Sequence, residues 1–369
     1  MSDSTGGIIA PAAGEILREC QVCDAAPPVP LSLCGGCRVV HYCCRNHQVE
    51  DRPTHKSVCK DISTARADVD AVKQKLLDQD PSIFTAGPQN KLYGRLSTDP
   101  KEDGKHYIRV LTSYAEAILK AGTQQAVKEA LAIYHDLLRL DREVGLHGAG
   151  NAIPALLIRL DRDQEAYDVC VWFQKKRLAD NKDWLTNMET PILDIHGANI
   201  FEDLEFDNWL KNWSDDKAVR SNIPRSACVL LILARLWFGF KMIVDVKDKN
   251  PAFTTAEVFK KTREVFPIDI VERHPEWLED DAAKAKLIQG TLLGATSLAG
   301  ALGVYNDKYF KLLENPHLRG SRQPTAPNPK SEDEAFWAFD QTYKAWEETP
   351  KALDLIMGWT KHVGVRTEL

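Results

Sequence analysis

Eight side chains in the first 60 residues have the types and spacing to hold metal ions. They fall in four pairs: Cys20-x2-Cys23, Cys34-x2-Cys37, Cys43-x3-His47 and His55-x3-Cys59. An i, i+3 pair of cysteines makes a tight knuckle that aims both sulfurs at one point. An i, i+4 pair puts both donors on one face of a helix. Zn²⁺ takes four N or S ligands in a tetrahedron, so eight ligands make two closed sites. A closed site leaves no position for a reacting water, so the metal expected here is structural and not catalytic. Seven of the nine cysteines lie between residues 20 and 59, and two histidines complete the count. A disulfide framework would have no use for those histidines.

These residues resemble one family, the MYND zinc finger. Its pattern is C-x2-C, C-x2-C, an aromatic-Cys pair, x3, a ligand followed by Gln, then H-K-x2-C. The matching residues are Cys20, Cys23, Cys34, Cys37, Tyr42-Cys43, His47-Gln48 and His55-Lys56-x2-Cys59. The resemblance implies a cross-braced pairing, with Cys20, Cys23, Cys43 and His47 on one Zn²⁺ and Cys34, Cys37, His55 and Cys59 on the other. Spacing alone does not choose this pairing over a sequential one. The family usually has Cys where His47 stands, so site one becomes Cys3His, a normal zinc set. Cys44 follows Cys43 directly and breaks the x3 spacing, so it reads as a non-ligand. The family often has Trp where Arg52 stands, and that Trp helps form a groove for proline-containing peptides. Gln48 is retained. Gln48 and Arg52 are therefore the candidate peptide-binding residues. Arg52 offers a charge and a planar fork in place of an aromatic face, which favours ligands with an acidic residue near the prolines.

The elements that must carry these residues can be placed along the chain. Residues 1–14 are small, polar and rich in Gly, Ala and Pro, and are expected to be a disordered tail; 15–60 form the finger. Pro53 marks the expected start of the helix bearing His55 and Cys59, continuing to about Gln79 on a stripe of Ile62, Ala65, Val69, Val72, Leu76 and Leu77. Residues 61–104 are read as this helix and a Pro/Gly-rich linker, and 105–369 as a second domain, helix after helix. Within it, residues 129–141 resemble the second helix of a tetratricopeptide (TPR) repeat. Residues 164–172 give a second copy, and Ala130 and Ala166 lie 36 apart, near the family period. The run Ala227–Val246 is apolar but interrupted by Arg235 and Lys241, which reads as a buried core helix and not a membrane span. Trp184, Trp209 and Trp213 are read as packing residues. A final helical pair is expected at about 332–347 and 350–362. The fold class is mostly α: a small cross-braced two-zinc finger followed by an α-helical TPR-like domain.

The chain has 369 residues, with 44% hydrophobic and 27% charged, enough for a zinc module and a domain with its own core. A net charge of −6 argues against a general nucleic-acid binder. With two Zn²⁺ and six thiolates the finger itself is about neutral. Metal-bound thiolates and no secretory pattern at the N-terminus point to a reducing compartment, the cytoplasm or nucleus. The same finger also occurs in lysine methyltransferases of the SET class, which carry an Asn-His motif for the methyl donor. Here Asn-His occurs as Asn46-His47, inside the finger. No phosphate loop, nucleophile elbow or HExxH is present. The expectation is a zinc-binding adaptor, not an enzyme, that joins protein segments and touches neither nucleic acid nor membrane directly.

Overall fold

The computed structural model describes residues 20–23, 30–84, 102–140, 148–178, 184, 191–203, 223–264, 266, 269–322, 324, 328–356 and 358. The tail at 1–14, most of the expected linker, Trp209, Trp213 and residues 359–362 lie outside these. The chain is a small Cys-rich finger followed by helices. Among the described residues one sheet occurs, the two-stranded antiparallel pair β1 (Ser32–Leu33) and β2 (His41–Tyr42) inside the finger.

Chain contacts divide the molecule into two compact units. The first comprises 1–84 and 101–133, the second 85–100 and 134–369. In the first unit, α1 (Arg45–Gln79) runs 35 residues from the finger into the helical part. It begins at Arg45, earlier than the expected start at Pro53, which lies inside it. The physical reason is His47: its ring reaches Cys43 only if the first helical turn already exists. Ile62, Val69 and Leu76, seven residues apart, are the buried positions of α1. They pack along α2 (Glu102–Leu119), which buries Tyr107, Ile108, Leu111, Ala115 and Ile118. Lys75–Asp103 at 2.6 Å and Lys120–Asp61 at 3.1 Å pin the two helices antiparallel. Helix α3 (Gln124–Leu140) follows and crosses the division between units.

The second unit contains α4 (Ala149–Arg159), α5 (Asp163–Leu178), the short α6 (Ile200–Asp203), α7 (Ile223–Lys249), α8 (Thr255–Arg263), the short α9 (Asp269–Glu272), α10 (Asp281–Glu314) and α11 (Glu332–Glu348). Helix α7 is its axis, packing on α4, α5, α8, α10 and α11. Its middle is apolar on every side apart from Arg235, so no face has to meet water. Arg235 in that middle is buried and does not face solvent. Its guanidinium reaches Asp163 at 3.0 Å and Asp161 at 2.8 Å, with its plane over Phe266. Trp184 is buried with its ring edge-on to Trp172, consistent with packing. Both α7 and α10 are long and apolar enough to cross a membrane by length and composition; the apolar window of α7 is 72% buried and that of α10 33%. Helix α10 kinks at Asn306, whose amide donates to Ser331 O and Glu334 Oε2. The two long helices, 27 and 34 residues, exceed the length of a repeat helix.

Candidate metal centre

Three local structures converge to make the donor sets. The first knuckle, Cys20–Cys23, is tied to β2 by a backbone bridge, with Gln21 N donating to His41 O at 3.0 Å. The second, Cys34–Cys37, is the turn of the β1–β2 hairpin, closed by Arg38 N to Cys34 O at 2.9 Å and Cys34 N to Val40 O at 2.8 Å. Arg38 takes a left-handed backbone there, φ 57°. The third is α1, which carries His47 in its first turn and His55 and Cys59 further along one face. Cys43 stands directly after β2, one residue before the helix cap at Cys44.

The donors gather in two interleaved groups: Cys20, Cys23, Cys43 and His47, and Cys34, Cys37, His55 and Cys59, each with all donor atoms within 4.8 Å of one another. A Zn–S bond of about 2.3 Å and a Zn–N bond of about 2.0 Å place tetrahedral S and S at about 3.8 Å and S and N at about 3.5 Å. In site one Cys23 and Cys43 are 3.6 Å apart and Cys20 lies 3.5 Å from His47 Nδ1. In site two Cys34 and Cys59 are 3.7 Å apart and Cys37 lies 3.5 Å from His55 Nε2. Four of these five edges fit zinc, and the Cys43–His47 edge, 3.1 Å, is shorter than the ideal by about 0.4 Å. The two histidines present different ring nitrogens, Nδ1 in site one and Nε2 in site two.

The electrostatics agree with a dication. Burial raises the Cys20 thiol, but hydrogen bonds from the backbone at Cys43, Val22 and Cys23 outweigh it and bring it down to about 6. Cys34 also falls to about 6, where burial is outweighed by the backbone at Cys37 and by His55. Their neighbours go the other way. Burial and the adjacent Cys23 and Cys20 push Cys43 up to about 12, and burial with Cys34 pushes Cys59 up to about 11. His55 rises to about 9 against Cys37. Each site thus crowds anions that repel one another, and a cation of charge two relieves that repulsion. Both sets fit a structural Zn²⁺ with four protein donors and no open position.

Supporting residues fix these ligands. Arg66, about two turns beyond Cys59 on α1, donates from Nη1 to Cys37 O at 3.0 Å and from Nη2 to Gly36 O at 2.8 Å. The hydroxyl of buried Tyr42 donates to Asp51 Oδ2 at 2.6 Å, and Thr54 donates to Asp51 Oδ1 at 2.7 Å. Gly36 leaves room for Cys59: a Cβ there would stand 2.7 Å from its sulfur. The Gly35-Gly36 pair between two ligand cysteines signals this in the sequence; nothing local signals Arg66. The two expected peptide residues lie one turn apart on α1. Gln48 is half-buried and accepts from Arg45 Nη1 at 2.5 Å, while Arg52 is exposed.

Residues 20–59 match the family model of the MYND finger. That segment is a two-zinc MYND finger. No curated protein and no solved structure matches the chain.

Proposed function

We propose that the chain is a non-enzymatic adaptor in the cytoplasm or nucleus. Its finger holds a protein segment, and its helical domain, TPR-like in the region of α3 to α5, supplies a second binding surface. The observation that carries this reading is the pair of closed four-donor sites in a MYND finger, because such fingers generally mediate protein–protein interactions. Asn46-His47 also supports it: His47 serves as a zinc donor, so the pair cannot double as a methyl-donor site. The repeat-like character rests on the small-then-aromatic spacing of Ala130 and Tyr134, both buried; in the second copy Ala166 is buried and Cys170 takes the aromatic position, also buried.

Gln48 and Arg52 are the proposed flanks of a shallow groove for proline-containing segments, with an acidic residue near the prolines favoured by Arg52. Linking two modest sites on one chain raises effective concentration. A peptide-array screen with the full chain and with Arg52→Trp tests the reading. Wild type should bind neutral proline-leucine peptides weakly, and Arg52→Trp should strengthen them. Tight binding of neutral peptides by wild type, or no change in the variant, overturns this account of the groove. Transfer of label from S-adenosylmethionine to any protein would overturn the non-enzymatic reading.

A further inference from the structure

The exposed face of α1 within the finger carries Arg45, Val49, Arg52, Lys56 and Lys60, all solvent-exposed and separated by 4, 3, 4 and 4 residues. That spacing keeps them on one side of a helix over about 22 Å. Val49, 56% exposed, sits inside this row of cations. We propose that this stripe docks an acidic protein segment whose carboxylates meet the four cations and whose aliphatic residue covers Val49. The inference rests on the reading of the finger as a protein-binding module and names the chemistry of its partner.

The argument is the absence of local compensation. On a helix, a cation is neutralised by an acid three or four residues away. Elsewhere this chain does so repeatedly: Lys249 with Asp245, Lys261 with Glu264, Lys311 with Asp307 and Lys344 with Glu347. Along the stripe no acid stands at any such position. The neighbours of Arg52 are Gln48, Val49, His55 and Lys56; those of Lys60 are Lys56, Ser57, Ser63 and Thr64. Arg52–Lys56 and Lys56–Lys60 are like-charged pairs at i, i+4, which weaken a helix. Of the nearby acids, Asp51 is engaged with Tyr42 and Thr54 and Asp61 with Lys120, and Glu50 stands two residues from Arg52, a spacing that does not face it on a helix. Among the described residues none of the four cations has an ion-pair partner; Arg45 reaches only Gln48. A row of uncompensated cations is complementary to carboxylates, and two of its members are guanidinium forks that match a carboxylate in bidentate fashion. An exposed valine between Arg45 and Arg52 adds nothing to phosphate binding but anchors an aliphatic side chain. The chain's net charge of −6 likewise disfavours a nucleic acid.

The test is fluorescence anisotropy with the full chain, zinc-loaded. The probe is a labelled peptide of alternating Glu and Asp around one leucine, compared with its Gln/Asn counterpart and a duplex DNA of similar length. The acidic peptide should bind roughly tenfold tighter than the amide version, less so at high salt. Arg52→Glu with Lys56→Glu should weaken it by roughly tenfold or more while zinc content stays at two per chain. Val49→Ala should weaken it without changing the salt dependence. Equal binding of the amide peptide, or no effect of charge reversal, overturns the inference. So does DNA binding at least as tightly with the same loss in the double variant, which would make the stripe a phosphate surface. If neutral proline-leucine peptides bind and acidic ones do not, this inference falls together with the acidic preference given to Arg52, while the adaptor reading stands. If no peptide of any composition binds, the adaptor reading falls with it.

Discussion

Gly36→Ala should destroy site two without touching site one. A methyl at residue 36 would lie 2.7 Å from the Cys59 sulfur. Ordinary contact for such a pair starts at about 3.5 Å, so the sulfur must retreat by roughly 0.8 Å. A zinc site accepts deviations of about 0.2 Å. The alternative is for the hairpin turn to move, which breaks the bond from Arg66 Nη2 to Gly36 O, 2.8 Å. Loss of an outer partner alone weakens a metal site by about 10–100-fold, so displacement of a ligand should exceed roughly 100-fold. That corresponds to about 2.7 kcal/mol. Gly35→Ala is the internal control: a Cβ there meets nothing within 4 Å. Competition with a chromophoric chelator, read against elemental analysis, should show two ions in wild type and in Gly35→Ala. One should be readily lost from Gly36→Ala. Two tightly held ions in Gly36→Ala would refute the geometry of site two.

Site one should be the reactive site, because Cys23 is exposed and Cys43 half-exposed whereas Cys34 and Cys37 are buried. Limited alkylation followed by peptide mapping should mark Cys23 and the exposed non-ligand Cys44 first, releasing one zinc; early marking of Cys37 would contradict this. Arg235→Met should cost about 3–5 kcal/mol in chemical denaturation, since it strands buried Asp163 without its partner. Adding Asp163→Asn should recover part of that loss, and full additivity would show that the pair is not coupled. His135 is held down to about 4 by burial, with Arg139 and Arg162 adding to it. Its folded value lies below its unfolded one, so the neutral ring stabilises the fold above about pH 6.5 and that stability drains as pH falls towards 4. His135→Gln should remove about 2 kcal/mol of this acid sensitivity, seen as a flatter denaturant midpoint between those pH values.

The metal centre was legible because each ligand pair is local. Spacings of three and four residues survive any tertiary arrangement, and the geometry of zinc then demands four such donors. The resemblance supplied the interleaving that spacing left open. The start of α1 was misplaced because Pro53 is a strong local signal for a helix beginning, whereas the requirement that His47 face Cys43 is a tertiary one. Arg66 was not legible either. It acts on carbonyls 29 and 30 residues back, and no sequence pattern encodes a side chain's reach to backbone oxygens. Arg235 was visible as an interruption in an apolar run; its partners Asp161 and Asp163, more than 70 residues away, were not. One helix explains why these misses matter for function. Because α1 both supplies zinc donors and buries Ile62, Val69 and Leu76 against α2, the finger is not a bead on a string. Arg66 follows the last zinc donor, Cys59, and lies between the buried Ile62 and Val69, on the same helix as the docking stripe. Its two hydrogen bonds hold the site-two turn to the part of α1 that packs on α2. A partner on the stripe therefore meets a helix whose position is fixed from both ends.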